Sequence, residues 1–410
     1  MKQRTRSMWA GLTAMVVAVA VLCSPVRAQM GGMGGMGDMT QFMSPVTKKA
    51  VTTWAQMLKM DADQKEAALA LQEGYRSSFK AMTEETQKTF REMMERARES
   101  MDWQAFQKEA ATVGKEMTEK MERLEKGFMN DVKSLLNEKQ LEQWPRVERA
   151  RKRDNGLRFG FMAGQNMDLV KMLEAAKVDV EASPELKEQV LRYELDMDRE
   201  IAAFEKWGKE QQAKQAEAAD MFDMNRIQDM LKEMTDVSKR MRDVNRQHAK
   251  SIAALLPAEK QGAFDLEVKR KSYPRVYREV YVQRAMSQAL GFADLTPDQK
   301  EAITSLRDGY AREAEGLNRT WASAIDEKEE KEGGAIGSMM SGFMGGGNEK
   351  DPVADARKAR RELDTRTKDK LLALLKEDQK TRLPEDKPDP RENRMMDFGF
   401  DLDPPDKDED

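Results

Sequence analysis

The chain has 410 residues, of which 35% are charged and only 6% are aromatic. Lys and Arg (70 residues) nearly balance Asp and Glu (74 residues), which argues against the basic surface of a nucleic-acid-binding protein. This composition is typical of long, solvated helices rather than of a compact α/β enzyme.

The N-terminus has the pattern of a secretory signal peptide over residues 1–28. Its basic residues are Lys2, Arg4 and Arg6. An apolar run over 12–22 follows, which is too short to span a membrane, and a small-residue cleavage site ends at Ala28. Cleavage would remove Cys23, the single cysteine, so the mature chain would contain no disulfide. We therefore expect an exported, periplasmic protein without a transmembrane anchor.

Residues 29–45 form a Met- and Gly-rich arm that we predict to be flexible. Four methionines recur in it at every third position: Met30, Met33, Met36 and Met39. Thioether sulfur suits Cu(I), so this arm is a candidate copper site, although a plain linker has the same composition. No other cofactor is indicated.

From residue 46 onward the apolar residues recur at alternating steps of three and four, as in the seam between two packed helices. Two such runs of about 35 residues each predict an antiparallel helical hairpin over 46–155. Its seam is expected to include Met82, Met93, Met117 and Met121.

This hairpin recurs along the chain. The phrase "DADQKEAALALQEGY" at 61–75 resembles "LTPDQKEAITSLRDGY" at 295–310, and "LLNEKQLEQWP" at 135–145 resembles "LLKEDQKTRLP" at 374–384. A more diverged copy lies between them. We predict an all-α protein of elongated antiparallel helical hairpins in tandem, with coiled-coil-like packing. The predicted segments are repeat 1 at 46–155, repeat 2 at 156–284, repeat 3 at 285–384 with a Gly- and Met-rich tip loop at 333–347, and a disordered acidic tail at 385–410.

The repeated phrase has the residues that begin a helix. In the later copy Thr296 suits the N-cap, Pro297 the first helical position, Asp298 the positive end of the helix dipole, and Gln299 the reciprocal bond of a capping box. The same roles are predicted for two further pairs, Asp61 with Gln64 and Asn137 with Gln140.

The complete motif Leu295-Thr296-Pro297-Asp298-Gln299 resembles that of the LTxxQ family of periplasmic helical-hairpin chaperones, the Spy and CpxP type. Residues 136–140 and 375–379 keep only the Leu and the Gln, and residues 60–64 only the Gln. The resemblance implies ATP-independent holding of unfolded envelope proteins, or sensing of envelope stress. Family members usually have one hairpin where this chain would have three, which leaves open whether any cradle forms within one chain or in a homo-oligomer.

Each predicted hairpin turn has Met residues beside an aromatic residue. We expect these turns to be adhesive contact points for clients or for a membrane surface, because Met side chains adapt to many partners. The alternative is that two of the turns close by packing inward. The candidate client-binding residues are Met101, Trp103, Met221, Phe222, Met224, Met339, Met340, Phe343 and Met344.

An enzyme is not expected. The single histidine, His248, lies in a polar stretch and is expected to be solvated, so neither a Ser-His-Asp nor a Cys-His arrangement is available. Two other roles remain open besides the chaperone. One is a structural or adaptor protein of the envelope that binds a dedicated partner, and the other is copper handling by the arm.

Overall fold

The computed structural model of the chain describes residues 45–157, 160–216, 224–334 and 351–386. Within these ranges 83% of the residues are helical and there is no strand, which confirms the all-α fold. The predicted signal peptide, most of the arm and nearly all of the acidic tail lie outside the described residues. In the described ranges no helix combines the length and the apolar character that a bilayer crossing requires.

The helices of the first part of the chain are α1 (Lys48–Met57), α2 (Ala62–Ser100), α3 (Trp103–Ser134), α4 (Glu138–Leu141), α5 (Trp144–Gly156), α6 (Leu169–Ala175) and α7 (Pro184–Ala216). Those of the second part are α8 (Met224–Leu255), α9 (Ala258–Ser272), α10 (Pro274–Tyr277), α11 (Tyr281–Leu290), α12 (Pro297–Glu332), α13 (Pro352–Leu374) and α14 (Glu377–Lys380). A short 3-10 turn, Val180–Ala182, precedes α7.

The chain packs as two compact units. The N-terminal unit holds the described residues within 1–158 and 198–230, and the C-terminal unit holds those within 159–197 and 231–402. Residues of the predicted second repeat fall in both units, so the three repeat boundaries stay a prediction.

The N-terminal unit is built around the hairpin of α2 and α3, which we call the N-terminal hairpin. Trp54 of α1 lies with its ring centroid 6.3 Å from that of Phe128, and Phe128 stacks on Tyr75 at 4.8 Å. Trp144 and Val147 of α5 belong to the same core. The two short helices therefore bury one face of the hairpin base.

The four seam methionines are all at least half-buried. Met93 and Met117 are buried, and Met82 and Met121 pack at the edge of the core. Two long helices with polar outer faces thus bury their apolar stripes against each other, as the periodicity predicts.

In the C-terminal unit α12 and α13 form the C-terminal hairpin. The short helix α11 covers its base and contributes Val282 and Met286 to a core with Ile303, Tyr310 and Leu371. The order of helices is therefore the same around both hairpins. A short helix precedes the two long helices, and a capped short helix follows them.

Candidate functional site

The base of the N-terminal hairpin is where two helices begin side by side. The Asp61 carboxylate accepts from the Gln64 backbone amide at 2.8 Å, and the Gln64 side-chain oxygen accepts from the Asp61 amide at 3.2 Å. Asn137 and Gln140 make the same reciprocal bonds, both at 3.0 Å, at the start of α4. Both predicted capping boxes are present in the structure.

The two capping glutamines also bind each other. The Gln64 side-chain amide nitrogen donates to the Leu135 carbonyl at 2.7 Å and to the side-chain oxygen of Gln140 at 3.0 Å. In return the Gln140 amide nitrogen donates to the Gln64 side-chain oxygen at 2.9 Å and to the Lys59 carbonyl at 3.3 Å. We call such a hydrogen-bonded pair of capping glutamines a glutamine clasp; this one is reciprocal. It joins the start of α2 to the end of α3.

A second glutamine clasp closes the C-terminal hairpin. Thr296 and Gln299 form the capping box of α12, and the Gln299 amide nitrogen donates to the Leu374 carbonyl at 2.7 Å and to Gln379 at 3.1 Å. The Gln379 amide nitrogen instead bonds Asp294, at 3.2 Å to its carboxylate. A hydrogen bond from Arg382 and, to a smaller extent, one from Gln379 together lower the pKa of Asp294 to about 2, so the carboxylate is ionised at neutral pH.

The clasps explain why the chain repeats a glutamine rather than a glutamate at these positions. A capping box accepts either residue, but only the amide also supplies donors to the neighbouring helix end. The sequence predicts the helix starts, but not the bonds between them. The sequence does contain a pattern that indicates those bonds. In each hairpin one capping glutamine lies at the start of the first long helix, and another lies just after the end of the second.

One face of the N-terminal hairpin is an open groove of about 880 Å³. Small residues line its sides: Ala67, Ala70, Gly74, Ser78, Gly127 and Ser134. Its floor is formed by Leu71, Tyr75, Leu124, Phe128 and Leu135, and its two charged residues are Arg123 and Asp131. A Cβ atom added to Gly74 or Gly127 would have no atom within 4 Å, so the groove is open at these points. We call it the hairpin groove.

The C-terminal hairpin has two charged side chains on the corresponding face. When Tyr75 is aligned with Tyr310 and Leu135 with Leu374, Ser78 falls on Glu313 and Gly127 on Arg366. Arg366 forms an ion pair with Glu313 across the two helices. At the positions of this ion pair the N-terminal hairpin has a serine and a glycine, which leaves the groove free of long charged side chains there.

The Tyr75 hydroxyl lies among ionisable groups. Arg151 of α5 is buried and makes a bidentate ion pair with Glu125, at 2.8 and 2.7 Å. Burial, and next the negative charge of Glu125, raise the pKa of Tyr75 to about 12, so the phenol is neutral at physiological pH. The groove floor is therefore uncharged.

An analogous cluster surrounds Tyr310 in the C-terminal hairpin. Its hydroxyl donates to Asp364 at 2.8 Å and accepts from Arg360 at 2.6 Å. Here the arginine comes from the hairpin itself, whereas Arg151 comes from α5. Burial raises the pKa of Tyr310 above its ordinary range.

Of the predicted client-binding residues, Met101 is the one whose side chain is described. It lies at the turn between α2 and α3 in a left-handed conformation (φ 57°), and 72% of its surface is exposed. Trp103 begins α3 and Met224 begins α8, but their side chains lie outside the described part. Six further candidates lie entirely outside the described residues: Met221, Phe222, Met339, Met340, Phe343 and Met344. So do the four candidate copper ligands, Met30, Met33, Met36 and Met39.

The expectation for His248 is wrong. The residue is 5% exposed, and its ring nitrogens bond Gln189 and Asp196, both at 2.9 Å. Its ring also contacts the edge of Tyr193. The polar neighbours in the sequence belong to the outer face of α8, while His248 turns inward with Asn245 and Met241, one and two helical turns away. In the described ranges no three His, Cys, Asp or Glu side chains are grouped to hold a metal ion.

The C-terminal unit has a buried cluster that the sequence does not indicate. Both oxygens of the Glu329 carboxylate accept from the Ala163 amide, at 2.9 and 3.1 Å. One turn away, Asp326 binds Arg246 through both oxygens and accepts from the Tyr273 hydroxyl. Burial raises the pKa of Glu329 to about 7. These bonds fix the loop that precedes α6.

Comparison of the chain with family models, curated proteins and solved structures found no match.

Proposed function

We propose that the chain is an exported, ATP-independent binding protein, a periplasmic chaperone that holds unfolded envelope proteins in the hairpin groove. The observation that carries the proposal is the groove itself: an apolar, uncharged floor whose leucines, Leu71, Leu124 and Leu135, are partly exposed between small residues. An exposed apolar recess of this size suits extended or helical segments of an unfolded chain, whose apolar side chains seek burial.

The exposed Met101 at the tip of the same hairpin supports this proposal as a second contact point. Its thioether side chain is flexible and polarisable, so it can adapt to clients of different sequence. The outer faces of α2 and α3 are charged and exposed, which favours solubility of a complex with an unfolded client.

The test is suppression of aggregation. Residues 29–410 are mixed, without ATP, with two unrelated unfolded proteins, and light scattering is followed. We expect suppression of both at near-stoichiometric amounts. The double variant Ser78→Glu/Gly127→Arg, which transfers the ion pair of the C-terminal hairpin into the groove, should need roughly tenfold more protein, a loss of about 1.4 kcal/mol in binding.

The matched control is Gly114→Arg on α3. This glycine lies outside the groove, and an added Cβ atom there also meets no atom within 4 Å. We expect it to retain the activity of the unmodified chain. No suppression of either client by the unmodified chain would refute the chaperone role, whereas full activity of the double variant would exclude the groove as its site.

A further inference from the structure

The described chain begins beside the hairpin groove. The backbone carbonyl of Val46 accepts from the Gln72 side chain of α2 at 2.9 Å, and Val46 is buried in the core. The Tyr75 hydroxyl also hydrogen-bonds to the backbone of Val46, while Tyr75 lines the groove. The segment before residue 45 therefore joins the described chain next to Val46, and a single side chain, that of Tyr75, separates Val46 from the groove.

We infer that residues 29–44 of the same chain occupy the hairpin groove as an intramolecular ligand. The distance allows this. Sixteen residues can extend over about 50 Å, whereas the groove runs about 16 Å along α2 from Ala67 to Ser78 at 1.5 Å per residue. Because the segment is tethered, its effective concentration at the groove is high, on the order of millimolar.

The side chains of the segment match the groove. Its methionines recur at every third residue, and in a polyproline II conformation residues three apart project from the same side about 9 Å from each other. Two consecutive methionines would then fit the length of the groove. Methionine side chains are flexible and pack against irregular apolar surface, which the partly exposed Leu71, Leu124 and Leu135 provide in the groove.

Glycine and charge fit the same arrangement. The glycines between the methionines let the backbone of the segment approach the backbone at Gly74 and Gly127, where no side chain intervenes. The segment has a single charged residue, Asp38, which can bind the exposed Arg123 on the groove wall in place of the 3.8 Å ion pair that Arg123 makes with Glu119. The segment would therefore compete with clients for one surface, and its docking requires no client.

The experiment uses the chain from residue 29 to 410 with the photo-crosslinking residue benzoylphenylalanine at Met36. After illumination of a dilute sample, the crosslinked peptides are identified by mass spectrometry. We expect intrachain crosslinks to the groove-lining parts of α2 and α3. The Ser78→Glu/Gly127→Arg variant should lose them, and Gly114→Arg should keep them.

Crosslinks elsewhere in the unit, crosslinks between two copies, or groove crosslinks that persist in the filled variant would each overturn the inference. A second readout connects it to clients: deletion of residues 29–44 should lower the amount of protein needed to suppress aggregation. The crosslinking contains no client, so its failure is distinct from failure of the chaperone role.

Discussion

Gln64 shows how one side chain can serve two helices. Its oxygen completes the capping box of α2, and its amide nitrogen donates to the Leu135 carbonyl and to Gln140. A glutamate would keep the first role and lose the second. The residue therefore contributes to local helix initiation and to tertiary closure of the hairpin.

Gln64→Glu should lower the free energy of unfolding by about 1–3 kcal/mol, because the Leu135 carbonyl and the Gln140 oxygen lose a donor and face a carboxylate instead. Chemical denaturation followed by circular dichroism measures this. The control is Gln56→Glu at an exposed position of α1, where the change should be within about 0.5 kcal/mol. Equal stability of the two variants would show that the clasp contributes nothing.

Glu329 should make stability depend on pH. Burial raises its pKa from 4.5 to about 7, and the charge of Asp326 acts in the same direction, against the Ala163 bond and the charges of Arg242 and Arg246. The folded chain therefore keeps a proton that the unfolded chain has lost. Between about pH 4.5 and 7 the free energy of unfolding should fall as pH rises, by roughly 3 kcal/mol in all.

The variant Glu329→Gln should remove this decline, which unfolding midpoints at pH 5 and pH 8 would detect. Its neighbour provides a contrast of opposite sign. A hydrogen bond from Arg242 lowers the pKa of Glu330, so the stabilisation from Glu330 is lost as pH falls. Glu330→Gln should therefore leave the decline between pH 5 and 8 in place. A decline that persists in Glu329→Gln would assign it to another group.

At the scale of the helices, two glycines with the same backbone conformation have opposite surroundings. Gly127 in α3 faces the open groove, whereas a Cβ atom at Gly156, the last residue of α5, would lie 2.6 Å from the Ile201 side chain. Ile201 is fully buried and cannot turn away. The same substitution should therefore have opposite effects at the two sites.

Gly127→Ala should raise the free energy of unfolding by about 0.5–1 kcal/mol, since alanine favours the helix. Gly156→Ala should lower it by about 1–3 kcal/mol through overpacking. Thermal unfolding of the two single variants tests both. Stabilisation by both would mean that the core around Ile201 relaxes without cost.

The sequence predicts the elements better than their contacts. The alternating steps of three and four locate α2 and α3, and the Thr296 and Gln299 pattern locates the start of α12. The hairpin groove is not predicted, because it depends on small residues at Ser78 and Gly127 that have no signal of their own. Alignment of the two hairpins indicates the difference, since Glu313 and Arg366 of the C-terminal hairpin align with Ser78 and Gly127.

His248 and Glu329 show a second limit. Both lie among charged neighbours in the sequence, and both are hydrogen-bonded to segments distant in the chain, His248 to the Asp196 side chain and Glu329 to the Ala163 backbone amide. The composition of a short stretch of sequence cannot reveal this, because residues of the inward and outward faces of a helix are interleaved in the same stretch. Their roles depend on packing between distant segments.

At the scale of the whole molecule, charge is abundant and nearly balanced, and the charges of the groove follow the same pattern. Removal of the predicted signal peptide, with four basic residues, takes the net charge from −4 to −8, and residues 385–410 account for −7 with eleven acidic and four basic residues. The body is thus close to neutral. Arg123 and Asp131 likewise offset each other in the groove.

Client holding should therefore be nearly insensitive to salt. Between 0.05 and 0.5 M NaCl (roughly 14 to 4 Å in screening length), we expect less than about a twofold change in the amount of protein needed. Burial of apolar surface, which salt does not screen, supplies the binding. Aggregation assays with one acidic and one basic client measure this. A tenfold loss at high salt would point instead to charged outer faces as the binding surface.

The glutamine clasps also offer a spectroscopic view of hairpin opening. Gln64 and Gln140 are 76 residues apart in the chain, so their side-chain amides meet only when both long helices are in register. The protons on these amide nitrogens exchange with water slowly while the clasp is closed and rapidly once it opens. Nuclear magnetic resonance of four side-chain amides, those of Gln64, Gln140, Gln299 and Gln379, could thus time the opening of each hairpin separately, without any label.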